Sequence, residues 1–112
     1  MGEDVLKRIE KLEYHLELLL RLVSPSGHGF TKLIIAKGLS REDVQRFHHL
    51  CDELNNKMQE QKAEGFLYFL PLFEEFSKRL DSRLEAKEIV QACLEEKMHV
   101  ELMSEFNKYL GA

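Results

Sequence analysis

The sequence predicts an all-α protein, a single multihelical domain of about five helices over residues 1–112, with a long N-terminal amphipathic helix. Three observations predict this class. Apolar residues recur at helical spacing in nearly every segment, and glycine, proline or serine separates the segments. The run Leu-Ile-Ile at residues 33–35 could also form a strand, but the sequence offers no second strand to pair with it. The length is that of one domain, and no linker, repeat or low-complexity tract divides it.

The first predicted helix, Glu3 to Val23, carries a heptad stripe. Its apolar residues recur at alternating steps of four and three, at Val5, Ile9, Leu12, Leu16, Leu19 and Val23. This is the spacing of a helix that packs lengthwise against another helix. In its second half the apolar residues spread around the helix, so several sides need cover. We therefore expect a homo-oligomer, most naturally a dimer, with Leu12, Leu16, Leu19 and Val23 in its interface; the alternative is that the other helices wrap this one within a single chain.

The next two helices are bounded by turn and cap residues. Residues 24–27, Ser-Pro-Ser-Gly, end the first helix, because the residue before a proline disfavours helical geometry. Residues 28–37 are expected to form a short helix that Gly38 closes. Ser40 is a suitable N-cap for the following helix, and Asp43 stands three residues later, close to a capping box. That helix is predicted to run to about residue 63.

The densest apolar and aromatic run lies between Phe66 and Phe76. Pro71 suits the first turn of a helix that continues to about Leu80. The five residues before Pro71 are either a buried connector or an earlier helical turn. The run is expected to be core; if partly exposed, it would form a docking surface, with Phe69 and Phe73 as candidate interface residues.

Two further helices complete the predicted fold. One starts near Glu85, and the other carries its apolar residues from Leu102 to Leu110. The apolar pattern slips at residues 97–99, so we expect a joint there.

Composition excludes several classes of partner and location. The net charge of −4, from 16 basic and 20 acidic residues, disfavours binding to nucleic acids and to anionic membranes. No apolar run reaches the roughly 18 residues of a membrane span, and the acidic start differs from a signal peptide. Cys51 and Cys93 occupy apolar positions of helical patterns, which is typical of reduced core thiols. We therefore expect a cytoplasmic protein.

Three histidines are the candidates for metal binding or catalysis. His48 and His49 are adjacent and point about 100° apart on a helix, with His48 beside the apolar stripe. Glu96 and His99 have the Glu-x-x-His spacing of helical di-iron proteins, which need two such motifs, whereas this chain has one. We predict no metal, no cofactor and no catalytic residue. A metal-binding protein or enzyme that uses His48, His49 or His99 is the second alternative.

Residues 30–47 provide the first alternative, a DNA-binding regulator. A short helix, a turn at Gly38 and a capped second helix resemble a helix-turn-helix. However, the second helix opens with Glu42 and Asp43, which would face phosphates, and the chain has no basic stripe. A simple helical hairpin is therefore favoured, and no nucleic acid is expected as a partner.

Two stretches carry a resemblance to a known family. Residues 39–44, Leu-Ser-Arg-Glu-Asp-Val, and residues 60–66, Glu-Gln-Lys-Ala-Glu-Gly-Phe, followed by Pro71, resemble the YhaI-like proteins, small helical proteins of spore-forming Gram-positive bacteria. The resemblance implies a multihelical fold in a bacterial cytosol and supplies no catalytic or binding residue. The residue patterns, independently of this resemblance, predict a non-enzymatic, homo-oligomeric protein that acts through protein–protein contacts.

Overall fold

The computed structural model describes residues 2–23 and 27–111. Over these residues the chain forms six helices and no strand: α1 (Gly2–Leu22), α2 (Gly29–Lys37), α3 (Arg41–Ala63), α4 (Leu70–Arg79), α5 (Ala86–Glu95) and α6 (Val100–Asn107). The all-α class is confirmed, with one helix more than the approximate five. The predicted stop after α1 falls mostly on residues 24–26, which lie outside the described part of the chain.

The hydrophobic core is built by the five helices after α1. Helix α3 packs against α4 and α6, and α5 packs against α2 and α6. Phe76 of α4 and Phe106 of α6 are fully buried at its centre, with ring centroids 4.9 Å apart. The buried residues from α3 follow its predicted apolar face: Phe47, Leu50, Cys51, Leu54 and Met58. One side of each helix thus faces a shared interior, as amphipathic patterning requires.

The start of α3 is fixed by a capping box, as the sequence predicted. The backbone N–H of Ser40 donates to Asp43 Oδ2 at 2.8 Å, and the backbone N–H of Asp43 donates to Ser40 Oγ at 3.1 Å. Arg83, from the α4–α5 connection, donates to Asp43 Oδ2 at 2.9 Å and to the Gly38 carbonyl at 3.2 Å. The hydrogen bond from Ser40, with help from Arg83, holds the pKa of the Asp43 carboxyl below its usual range.

Helix α2 is held at its start by the end of α5. The backbone N–H of Gly27 donates to Glu95 Oε1, and that of Thr31 donates to Glu96 Oε2, both at 2.6 Å. The Glu96 carboxylate satisfies an N–H group that a helix start leaves free and complements the helix dipole, while Glu95 holds the residue before the N-cap His28. At its other end Gly38 has a φ of 70°, which a glycine adopts without strain, so it closes α2 as predicted.

The segment between α3 and α4 differs from the predicted buried connector or helical turn. Residues 66–69 form a connector rather than a helical turn, but most of it is not buried. Phe66, Leu67 and Tyr68 are 52%, 92% and 60% exposed, and only Phe69 reaches the core. The cause is a long-range contact, because the backbone N–H of Phe69 donates a hydrogen bond to Tyr109 Oη at 2.9 Å, while the three residues before Phe69 cross the surface.

Two predicted boundaries are confirmed. Pro71 lies in the first turn of α4, where its missing N–H costs nothing. The joint at residues 97–99 separates α5 from α6. Lys97 and His99 there have φ values of 58° and 49°, in the left-handed region, so the chain cannot continue as one helix.

Helix α1 stands outside this core. None of its described side chains is buried, and only Leu18 and Leu20 are half-buried. The protein measures 62 × 28 × 22 Å, and its radius of gyration is 17.3 Å, against about 13 Å for a compact domain of similar length. The alternative in which the other helices wrap α1 within one chain is therefore wrong. None of the described helices combines the length and the apolar character needed to cross a membrane.

Candidate functional site

The most extended candidate site is the apolar side of α1, here called the α1 stripe, consisting of Val5, Ile9, Leu12, Leu16, Leu19 and Val23. Its members are between 37% and 61% exposed, although all are aliphatic. Contiguous apolar surface of this kind marks an interaction site in a folded protein. Four members of the stripe were predicted from the sequence to lie in an interface: Leu12, Leu16, Leu19 and Val23. All four lie on this exposed surface.

The other two predicted interface residues have a different environment. Phe69 is 2% exposed and belongs to the core. Phe73 is half-buried, with its ring 5.5 Å from that of Phe106 and 5.9 Å from that of Tyr109, measured between centroids. Both rings are occupied by contacts within the chain. The expectation that the Phe66–Phe76 run is core holds for its second half.

The structure brings two of the three candidate histidines together. His48 of α3 and His99 at the start of α6 approach with Nδ1 of the first 2.8 Å from Nε2 of the second, a hydrogen bond between half-buried rings. Phe30 lies beside His48 at a centroid distance of 5.7 Å, and Phe47 packs edge-on to His99 at 6.1 Å. His49 is exposed, as its position on the helix predicted.

Burial lowers the pKa of His99, and the neighbouring His48 lowers it further, while Asp52 acts in the opposite direction. Asp52, which stands one helical turn after His48 in α3, instead lies beside His99, with its Oδ1 4.0 Å from His99 Nδ1. Asp52, His99 and Asn55 all line a surface depression of about 220 Å³. Among the described residues that line it, none has a hydroxyl or thiol that could act as a nucleophile.

The Glu-x-x-His motif does not form a ligand pair. Glu96 is the C-cap of α5 and accepts the N–H of Thr31, whereas His99 lies beyond the left-handed joint and bonds to His48. The two side chains therefore have separate partners and do not share a helical face. In the described ranges, no group of three or more His, Cys, Asp or Glu side chains is placed to hold a metal ion.

The two cysteines are core residues. Cys51 and Cys93 are free and buried, and desolvation raises the pKa of both thiols, that of Cys93 to about 12. Thiols that stay protonated in this way are poor nucleophiles.

Residues 30–47 form the helical hairpin that the sequence favoured. Within it, α2 and the first turns of α3 are joined at Gly38, and the first turn of α3 carries Glu42 and Asp43. Asp43 accepts hydrogen bonds from both Arg46 and Arg83. Two of the nearby cations are thus engaged within the protein rather than arranged as a phosphate-binding stripe.

These features define a small helical protein with a complete core in α2–α6 and an uncovered amphipathic helix at its N-terminus. The chain belongs to the family described as protein of unknown function (DUF1878), which it matches over residues 2–111. The match includes α1 as well as the core, so the N-terminal helix is part of the family's own extent.

Proposed function

We propose that this protein is non-enzymatic and homo-oligomeric, that it acts through protein–protein contacts, and that α1 is its association helix. The observation that carries the proposal is the α1 stripe, an apolar face that runs the length of a 21-residue helix and stays exposed while the core is complete without it. In the proposed assembly, the α1 stripe of one copy packs against that of another.

Physical chemistry supports a second copy as the cover. Fully burying an exposed valine, leucine or isoleucine contributes roughly 1.5–3 kcal/mol, so a stripe of six such residues favours association. A heptad stripe fits another heptad stripe, because each apolar side chain packs into the space between side chains of the facing helix. Two copies of one chain can do this by an isologous contact, the commonest arrangement of homodimers. The dimer is thus the simplest assembly that covers the stripe.

The position of α1 outside the core allows association to be tested without disturbing the fold of the other helices. Because α1 contributes no described buried side chain to the core, a charged substitution in the stripe should not unfold α2–α6. Sedimentation at micromolar concentration should give twice the 13.2 kDa mass of the chain for the wild type. The double variant Leu12→Glu, Leu19→Glu should sediment as the monomer.

Tyr14→Glu is the matched control for that experiment. Tyr14 is 57% exposed but lies on the side of α1 opposite the stripe. The Tyr14→Glu variant also carries an added glutamate in α1, but outside the stripe, so it should associate like the wild type. A wild type that sediments only as the 13.2 kDa monomer would contradict the proposal.

The finer parts of the proposal concern setting and partners. We propose that the protein resembles the YhaI-like proteins in its setting, the bacterial cytoplasm. We expect neither a nucleic acid nor a membrane as its partner. The two free, buried cysteines and the net charge of −4 support this setting.

A further inference from the structure

We propose that neighbouring copies of α1 pair in parallel and in register, with Arg8 of one copy facing Glu13 of the next. This inference rests on the proposed function and adds the geometry of the association. In heptad terms, the a positions are Ile9, Leu16 and Val23, and the d positions are Val5, Leu12 and Leu19. A β-branched residue stands at two of the three a positions and leucine at two of the three d positions, which suits parallel pairing.

The charges beside the stripe favour the parallel arrangement. Arg8 occupies a g position and Glu13 an e position, and both are exposed. In a parallel pair, a g residue faces the e residue that stands five positions later in its neighbour. Arg8 and Glu13 are separated by five positions, so a parallel pair contains two symmetric Arg8–Glu13 contacts between opposite charges.

The antiparallel arrangement lacks this complementarity. There, e positions face e positions and g positions face g positions. The alignment that preserves most apolar layers sets Ile9 opposite Leu19 and Leu12 opposite Leu16. It brings Glu13 toward the second Glu13, so two like charges approach each other near the centre of the contact.

A single introduced cysteine tests the orientation. Gly2 is exposed and continues the a positions, while the natural thiols Cys51 and Cys93 are buried. In the parallel pair, Gly2→Cys should form an interchain disulfide under mild oxidation. In the antiparallel pair, the two introduced thiols would lie about 30 Å apart, the length of a helix of this size. Lys7→Cys, on the outer side of α1, is the control and should cross-link poorly.

The mass of the same samples under reducing conditions shows whether the protein associates at all, and cross-linking shows whether the helices pair in parallel. An oligomer that cross-links through Gly2→Cys supports parallel pairing. An oligomer that fails to cross-link there overturns parallel pairing and leaves the association helix in place. A monomer overturns the association itself and this inference with it.

Charge exchange provides a second readout. Arg8→Glu should raise the dissociation constant about three- to tenfold, because it replaces attraction to Glu13 by repulsion. Adding Glu13→Arg to the same chain should restore the wild-type value. In the antiparallel alignment, the doubly substituted chain would bring two arginines together instead, so a double variant that fails to recover would also overturn parallel pairing.

Discussion

Nδ1 of His48 lies 2.8 Å from Nε2 of His99, so a hydrogen bond between two imidazole rings joins the first half of α3 to the N-cap of α6. One of these two nitrogens must be free of a proton to accept it, and which one depends on the tautomer. The bond is surrounded by Phe30 and Phe47 and has Asp52 at its edge. A proton on the half-buried ring of His99 would place a charge where burial disfavours it, so this contact is a pH-sensitive point of the fold.

We expect the free energy of unfolding to fall as the pH drops from 7.5 to 5. Burial lowers the pKa of His99 in the folded state. The unfolded chain therefore binds more protons in this range, and stability rises with pH. The contribution is present above the usual pKa of imidazole and is lost as the pH falls through the folded value. Urea unfolding at several pH values measures it.

His99→Asn should flatten that pH dependence and lower stability at pH 7.5 by about 1 kcal/mol, through loss of the hydrogen bond. Asparagine tolerates the φ of 49° at this position, so the backbone should not be strained. His49→Asn, on the exposed side of α3, is the control and should keep the wild-type profile. An unchanged slope in the His99 variant would show that His99 is not the source of the pH dependence.

Two leucines from one apolar run should respond very differently to the same substitution. Leu72 is 4% exposed and Leu67 is 92% exposed. Leu72→Ala should lower the free energy of unfolding by about 2–5 kcal/mol, because it removes buried methyl groups and leaves a cavity. Leu67→Ala should change it by less than about 0.5 kcal/mol. Equal losses from urea melts would mean that Leu67 is covered in solution.

That contrast shows where sequence reasoning succeeded and where it stopped. Helical spacing identified every helix, and local chemistry placed the boundaries at Ser40, Gly38 and Pro71, because caps and breakers act over a few residues. Burial within the Phe66–Phe76 run was not predictable from composition. It depends on where Phe69 is fixed by Tyr109, 40 residues away in the chain.

The candidate site divides in the same way. The α1 stripe was visible in the sequence because it is periodic within one helix. The His48–His99 hydrogen bond was not, since it joins residues 51 positions apart and depends on a left-handed turn at His99. No local pattern indicates such a contact. The same holds for Glu96, whose hydrogen bond to Thr31 N–H spans 65 positions.

The capping box at the start of α3 should contribute measurably to stability. Ser40→Ala removes the hydroxyl that accepts the N–H of Asp43 and should cost about 1 kcal/mol. Ser104→Ala makes the same change at an exposed position within α6, where alanine is the better helix former, and should be neutral or slightly stabilising. Thermal or urea unfolding compares the two, and equal midpoints would contradict a role for the cap.

Glu96 should stabilise α2 although it lies at the end of α5. Its carboxylate accepts the N–H of Thr31 at 2.6 Å, at the positive end of the helix dipole. Glu96→Gln should lower the free energy of unfolding by about 1 kcal/mol, since a charged acceptor is replaced by a neutral one. Glu60→Gln, at an exposed site on α3, is the control and should have little effect. Hydrogen exchange should locate the loss in the first turn of α2.

The independence of α1 from the core gives the last prediction. Leu19 is 55% exposed and Leu54 is fully buried. In dilute protein, Leu19→Ala should leave the urea midpoint of the core nearly unchanged, whereas Leu54→Ala should lower stability by about 2–5 kcal/mol.

Association should change the helix content at the same time. Most of the stability of a helix in a protein comes from packing of its amphipathic face, so α1 should be less ordered in the monomer than in the oligomer. The circular dichroism signal at 222 nm should therefore grow with protein concentration in the wild type, and it should grow less in Leu19→Ala. A core destabilised by Leu19→Ala in dilute protein would mean that α1 folds back onto its own chain, and the stripe would then be covered without a second copy.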